Sequence, residues 1–89
     1  MQIVFKRNFL KNLAKLPFEI RQQIESFVFN DLQKCDSIYE VGSIEKMKGY
    51  ENYYKIRFGS YRVGIKAEKD KTVTIETVMH RKEIYRYFP

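Results

Sequence analysis

The sequence predicts a single α+β domain of order β-α-α-β-β-β, in which a helical hairpin covers one face of a mostly antiparallel sheet. Apolar residues between positions 9 and 32 recur every three or four positions, as on one face of a helix. From position 53 onward they alternate with polar residues, as in strands with one buried face. The chain has 89 residues, which fits one domain spanning residues 1–89.

The N-terminal half is predicted to hold one strand and two helices. Gln2–Lys6 is short, apolar and β-branched, which is typical of a strand. Asn8 is a candidate N-cap for the first helix. Pro17 ends that helix and opens the second, which runs to about Lys34. The apolar stripes of the two helices are Phe9, Leu10, Leu13 and Leu16, then Ile20, Ile24, Phe27, Val28 and Leu32.

The C-terminal half is predicted to form a three-stranded meander that pairs in chain order. Residues 36–51 show no period and are expected to be irregular. The tail, residues 80–89, is expected to form one helical turn or to lie across the sheet. Gly59-Ser60 is a two-residue hairpin loop, and residues 69–71 form the next turn. The three strands are Tyr53–Phe58, Tyr61–Glu68 and Thr72–Met79.

The charge balance favours a polyanionic partner. Seventeen Lys and Arg oppose 11 Asp and Glu, which gives a net charge of +6. Such an excess on a small body attracts nucleic acid, a ribosome or an acidic protein. The lone cysteine, Cys35, has no partner for a disulfide or a Cys-x-x-Cys metal site. No apolar run approaches a membrane span and no signal peptide is evident, so we expect a cytoplasmic protein with no membrane contact.

The alternation of the strands predicts one strongly basic sheet face. Tyr54, Ile56 and Phe58 point toward the helices, and their neighbours point away from them. The opposite face is therefore expected to be free of helices, nearly all cationic and without interleaved carboxylates. Its strand residues are Lys55, Arg57, Arg62 and Lys66, and the third strand and tail add His80, Arg81, Lys82, Tyr85, Arg86 and Tyr87 nearby.

This face has two interpretations, which the residues alone leave open. Antiparallel sheets commonly carry one polar, solvated face. Cations flanked by aromatic rings also suit RNA, because phosphates bind the charges and bases stack on the rings. His80 is the only histidine, and at a strand end it is either structural or a proton carrier. No cluster of metal ligands and no glycine-rich phosphate loop occurs, so we expect neither a metal nor a cofactor.

Several segments together resemble the RelE/ParE superfamily of toxins. The likeness covers essentially the whole chain in order and spacing. RelE members fold as an antiparallel sheet with a helical hairpin on one face, so the resemblance implies the same architecture as the periodicity. The segments are Leu16-Pro17, Lys48-Gly49-Tyr50, Tyr53-Tyr54-Lys55-Ile56-Arg57, Gly59-Ser60-Tyr61-Arg62-Val63 and His80-Arg81-Lys82-Glu83-Ile84-Tyr85.

The resemblance implies a metal-independent endoribonuclease that cuts mRNA in the ribosomal A site and inhibits translation. RelE toxins leave a 2′,3′-cyclic phosphate and a 5′-hydroxyl. The positions that match their motifs suggest catalytic roles for Lys55, Arg57, Arg62 and Arg81. The C-terminal tyrosine is either Tyr85 or Tyr87, according to which RelE spacing is followed, and a role for His80 is left open. Further RNA contacts are expected from Lys48, Lys66, Lys82 and Arg86.

A mechanism follows from these assignments. The cations at Arg57 and Arg62 favour the neutral amine of Lys55, which then removes the proton of the 2′-hydroxyl. Arg62 and Arg81 stabilise the charge on the pentacoordinate phosphate. An arginine is a poor acid, so His80 or water protonates the leaving 5′-oxygen.

A second function and a protein partner are also implied. ParE toxins share the superfamily, inhibit DNA gyrase and cleave nothing, and the sheet scaffold does not separate the two groups. Either toxin implies a cognate antitoxin and a toxin–antitoxin hetero-oligomer. An acidic, amphipathic antitoxin segment is expected on the basic face or in place of the tail. Phe18 and Phe29, which lie off the helical stripe, either join that interface or are partly buried.

Overall fold

The structure is a computed structural model that describes all 89 residues. A five-stranded sheet is packed against two helices on one face and a short C-terminal helix on the other. Strand order across the sheet is β1-β5-β4-β3-β2, with β1 parallel to β5 and every other pair antiparallel. The elements are β1 (Gln2–Phe5), α1 (Arg7–Ala14), α2 (Phe18–Ser26), β2 (Ile44–Lys46), β3 (Tyr53–Phe58), β4 (Tyr61–Ala67), β5 (Thr72–His80) and α3 (Arg81–Tyr87).

The α+β class, the helical hairpin and the meander β3–β4–β5 are confirmed. The helix that begins at Phe18 extends to Lys34, as predicted, but only its first part is α-helical. A π-helical turn over Phe27–Asp31 and a 3₁₀ turn over Leu32–Lys34 complete it. Gly59 forms the β3–β4 turn with a φ of +55°, a left-handed conformation that glycine adopts at low cost.

Two sequence predictions about local structure are wrong. Asn8 does not cap α1, because the helix already begins at Arg7 and Lys6 occupies the N-cap position without a side-chain hydrogen bond. The segment 36–51 is not wholly irregular, because it contains the edge strand β2. β2 has only three residues, too few to show alternation. Its register places Glu45 opposite Lys55.

The main core lies between the sheet and the helical hairpin. It holds 14 buried residues, and its members come from α1, α2, the turns that follow α2, and the inward positions of β3, β4 and β5. Tyr54 and Ile56 of β3 pack there together with Val63 and Ile65 of β4. The predicted inward set of the meander is confirmed by this cluster. Burial of this surface is the chief stabilising contribution to the fold.

The sequence predicted that the opposite sheet face is free of helices, and this prediction is wrong. α3 and the residue after it pack on this face through a second, smaller cluster of Met47, Ile84 and Phe88, against which Tyr53 and Met79 also pack. The ring of Phe88 lies directly over Gly64, where an added Cβ would come within 2.8 Å of it. β4 therefore needs glycine at this position for the C-terminal segment to reach the sheet.

Candidate functional site

The basic side chains of the meander lie on the sheet face that α3 partly covers. Strand registry places Arg57 opposite Arg62, Lys55 opposite Gly64, and Tyr53 opposite Lys66. Neighbouring strands are about 5 Å apart, so the two arginines lie side by side. Like charges in directly opposed positions of a sheet destabilise it. Their pairing here is therefore better explained by binding of an anion than by stability of the sheet.

Arg62 is held in place by the hairpin turn. Its Nη1 atom donates hydrogen bonds to the carbonyl oxygens of Gly59 at 2.8 Å and Tyr61 at 2.9 Å. The backbone N–H of Arg81, the first residue of α3, donates to the carbonyl of Ser60 in the same turn at 2.7 Å. The turn thus joins the start of the tail to the end of the β3–β4 hairpin. Arg62 and Arg81 are thereby anchored to the same three-residue segment.

Lys55 is the most enclosed cation of the site, with 7% of its surface exposed. Its Nζ atom lies 3.7 Å from a carboxylate oxygen of Glu45 and 4.5 Å from the centre of the Tyr85 ring. An enclosed charge needs such a partner, because burial without one is costly. The methylene stem lies among the strands while the ammonium group faces Glu45 and Tyr85.

The prediction that no carboxylates are interleaved on this face is wrong. Glu45 on β2 pairs with Lys55, and Glu68 just beyond β4 pairs with Lys66 at 3.5 Å. The Glu68 carboxylate, together with Tyr53, raises the pKa of Lys66 above its usual value of 10.5. Sequence reasoning missed Glu45 because β2 was not predicted, and no motif of the sequence singles it out. Arg57 and Arg62 form no ion pair, so the positive charge is concentrated at the hairpin end.

The structure places the two candidate tyrosines in different surroundings. Tyr85 is 66% exposed and its ring lies over the Lys55 ammonium group. Tyr87 lies away from this lysine and lines two shallow depressions, one of them shared with Lys15 and His80. Only Tyr85 is therefore brought to the centre of the basic face.

His80 is not brought to the basic cluster. It is registered with Tyr61, whose ring it contacts at 5.7 Å, and Tyr61 belongs to the core side of β4. Its Nδ1 atom accepts a hydrogen bond from the backbone N–H of Lys82 at 3.2 Å. The imidazole thus caps α3, as polar side chains do at helix N-termini. Met79, not His80, shares the face of Arg62.

Three further predicted RNA-binding residues lie outside the meander and are exposed. Lys48 follows β2, and Lys82 and Arg86 lie on α3. None of the three has a carboxylate within 4.0 Å, in contrast to Lys55 and Lys66. The site is thus an enclosed lysine beneath one exposed aromatic ring, with two adjacent arginines further along the same strands.

Known proteins with the same fold are toxins. The family described as "ParE toxin of type II toxin-antitoxin system, parDE" matches residues 3–85. The chain is 41% identical to the toxin RelE3 of Methanocaldococcus jannaschii over an alignment of 90 positions, which covers 100% of both proteins. No helix of the structure is both long and apolar enough to cross a membrane.

Solved structures agree with this match. A RelB-RelE antitoxin-toxin complex from Methanococcus jannaschii superposes with a TM-score of 0.78 at 39% identity, covering 97% of this chain and 99% of the other. The toxin-antitoxin complex RelBE2 of Mycobacterium tuberculosis gives a TM-score of 0.68 at 25% identity, covering 90% and 96%. The family match and these structures identify the chain as a toxin of a type II toxin-antitoxin system. The chain belongs to the RelE/ParE superfamily.

Proposed function

We propose that this toxin is a metal-independent endoribonuclease that cleaves mRNA on the ribosome, in the cytoplasm. The observation that carries the proposal is the convergence of Lys55, Arg57 and Arg62 on one patch beside Tyr85. RNA cleavage by the 2′-hydroxyl needs a base, donors for a phosphate that gains negative charge, and a platform for the neighbouring base. This patch offers one group for each need.

In the proposed reaction Lys55, as its free amine, takes the proton of the 2′-hydroxyl. The 2′-oxygen forms a bond to phosphorus and the bond from phosphorus to the 5′-oxygen breaks. The products are a 2′,3′-cyclic phosphate and a 5′-hydroxyl. Arg62 and Arg81 donate to the phosphate oxygens in the transition state, where their forked N–H groups fit two oxygens at once.

The structure supports water, rather than His80, as the source of the proton for the leaving 5′-oxygen. The imidazole lies on the other side of the sheet and its Nδ1 atom is engaged in capping α3. Tyr85 supports the stacking role better than Tyr87, since its ring lies over Lys55. In the free protein the Lys55 ammonium group is paired with Glu45. For Lys55 to act as the base, binding of the RNA has to displace this pair and Lys55 has to lose its proton.

Primer extension on mRNA translated in a cell-free system tests the proposal. The protein should create new 5′ ends within codons, and these ends should carry hydroxyl groups that block ligation until they are phosphorylated. Lys55→Ala, Arg62→Ala and Arg81→Ala should each abolish most of the cleavage. Lys66→Ala is the matched control, because Lys66 lies on the same face but is paired with Glu68. Unchanged cleavage by Lys55→Ala would remove Lys55 from the role of base.

Inhibition of DNA gyrase is the second candidate function, because the matching family is described by its ParE toxins. Intact mRNA beside a protein that still arrests growth would favour it. A supercoiling assay with purified gyrase then decides, since a gyrase inhibitor lowers supercoiling in the absence of ribosomes. The same assay should show no effect if the endonuclease proposal is correct.

We also propose that a cognate antitoxin binds this chain in a hetero-oligomer. Two of the structural relatives are toxins in complex with antitoxins. An acidic segment suits the basic face, and two exposed rings offer apolar contacts: Phe18 is 61% exposed, and Phe29 is 40% exposed while packing on Phe5. Co-expression with the antitoxin should protect Lys82 and Arg86 from trypsin. Unprotected cleavage at these sites in the complex would place the antitoxin elsewhere.

A further inference from the structure

A second cationic surface lies on α1, outside the site described above. Arg7, Lys11 and Lys15 are spaced four residues apart, so they form a stripe along one side of α1 and the turn that follows it. All three are exposed, and none has a carboxylate oxygen within 4.0 Å. The first acidic residue of the chain is Glu19, so the segment before it carries only positive charge. We call these three residues the α1 stripe.

The α1 stripe has no partner within the protein. Arg7 lies in the first turn, where the helix dipole disfavours a cation, whereas Lys11 lies in the last turn, where the dipole favours one. Like charges four residues apart on a helix repel each other. The attachment of α1 to the sheet comes from Phe9 and Leu13, which are buried in the main core. A row of exposed cations without an internal partner suggests an external anion.

The α1 stripe and the basic site lie on opposite sides of the sheet. α1 packs on the core side with Tyr54 and Ile56, while Lys55 and Arg57 point to the other side. The body measures 33 × 29 × 24 Å, so the sheet separates the two surfaces. RNA bound at the basic site would lie on the other side of the sheet from α1. The α1 stripe is therefore available to a second part of a large, folded anion.

We propose that the α1 stripe binds the phosphate backbone of double-helical RNA. This inference rests on the proposed function, in which the mRNA is presented by a ribosome. Four residues of helix rise about 6 Å, so the stripe presents a straight row of charges to a rigid, regular array of phosphates. A membrane surface does not fit, because the apolar side of α1 is already used by the core. Nothing on the stripe reads bases, so the binding is independent of sequence.

The test is binding of a short, fully paired RNA duplex to the full chain at a series of salt concentrations. The variant Arg7→Gln/Lys11→Gln/Lys15→Gln should bind at least about tenfold more weakly at low salt. The slope of log affinity against log salt should become shallower by about two, since two or three phosphate contacts are lost. The variant should melt close to the wild type, because the repulsion relieved along α1 offsets the loss of the Lys11 charge from the last turn of the helix.

A charge-matched control separates this surface from general attraction. Lys34→Gln/Lys69→Gln/Lys71→Gln removes the same three charges from exposed positions elsewhere. Equal weakening by both triple variants would overturn the proposal, because net charge alone would then explain binding. Normal duplex binding by the α1 variant, with loss of antitoxin binding, would also overturn it and make the stripe a protein interface.

The result is independent of whether the protein cleaves mRNA. Duplex binding by the α1 variant and by Arg62→Ala should differ, because Arg62 lies on the opposite side of the sheet. If the α1 variant lost duplex binding and the wild type left mRNA intact, the proposal for the α1 stripe would stand and the proposed endonuclease activity would be rejected. In a cleaving protein, the α1 variant should need more enzyme to reach half-maximal cleavage on ribosomes but keep its maximal rate.

Discussion

The two faces of the sheet are built on different principles. The face under the helical hairpin buries a continuous cluster of 14 mostly aliphatic residues. The other face has a cluster of only three buried residues, Met47, Ile84 and Phe88, and it carries the adjacent cations Arg57 and Arg62, which repel each other. The stability of the domain thus rests chiefly on one side of the sheet, whereas the cations of the candidate site lie on the other side. Mutations on the two faces should therefore affect different measurements.

The largest effect is expected from Ile65→Ala in the main core. Ile65 is fully buried, and removing its side chain leaves a cavity that should cost about 4 kcal/mol of unfolding free energy. Urea unfolding measures this, and the activity of the molecules that remain folded should be unchanged. An unfolding free energy within about 1 kcal/mol of the wild type would show that the core relaxes around position 65.

Arg62→Ala should give the opposite outcome on the other face. Loss of one transition-state donor should lower mRNA cleavage by about 100-fold or more, which is about 3 kcal/mol. Unfolding free energy should stay within about 0.5 kcal/mol of the wild type, because relief of the repulsion between Arg57 and Arg62 offsets the loss of the two hydrogen bonds from Arg62 to the hairpin turn. A large loss of stability with unchanged cleavage per folded molecule would reverse the proposed division between the faces.

Gly64→Ala tests the junction of the two faces. The new methyl group would meet the Phe88 ring at 2.8 Å, so the C-terminal segment must shift. We expect about 1–2 kcal/mol of lost stability and faster proteolysis within α3. Gly42→Ala is the control, since nothing lies within 4 Å of its added methyl group. Equal protease resistance of the two variants would show that Phe88 does not fasten the tail.

The smallest expected effect is a loss of stability at alkaline pH, and it comes from a residue on the core side of the sheet. A hydrogen bond to Tyr39 and burial raise the pKa of Tyr54 above its usual 10.0. The neutral phenol is thus favoured by folding. Its contribution, about 1 kcal/mol as for one hydrogen bond, is complete below pH 10 and is lost as the pH rises through the folded value. Tyr54→Phe should flatten this decline in urea unfolding at alkaline pH.

Lys66 gives a control for this pH dependence. Its pKa is also raised, chiefly by Glu68, so its contribution has the same sign and is lost at high pH. The pair is exposed and contributes little to stability. Lys66→Gln should therefore leave most of the alkaline decline in place. If Lys66→Gln abolished the decline in stability and Tyr54→Phe kept it, the effect would come from the Lys66–Glu68 pair and not from Tyr54.

The main features of the fold were predictable because periodicity reports burial directly. The strands Tyr53–Phe58 and Tyr61–Ala67 alternate clearly, and their inward sets are those of the core. β2 was not predictable, since three residues show no period. The tail was predicted to form a helical turn or to lie across the sheet, but its packing partners were hidden. They include Gly64, which Phe88 meets from 24 positions further along the chain.

The site was predictable only in outline. Alternation correctly places Lys55, Arg57 and Arg62 on one face, and the likeness to RelE proteins singles out the same residues. Their surroundings depend on pairs between strands that no local pattern reveals. Glu45 meets Lys55 through the register of an unpredicted strand, and His80 turns to the core side because it ends β5 opposite Tyr61. Which tyrosine lies over Lys55 depends on the direction of α3.

The parallel pairing of β1 with β5 has a consequence for biosynthesis. Gln2 is registered with Thr72, so the first strand has no neighbour in the sheet until the last strand has been made. Closing so long a loop costs about 4 kcal/mol of chain entropy, and such non-local pairing slows folding. A nascent chain therefore completes its sheet late in translation. A toxin made this way becomes harmful only as a nearly finished chain, which gives a partner translated at the same time an interval in which to bind.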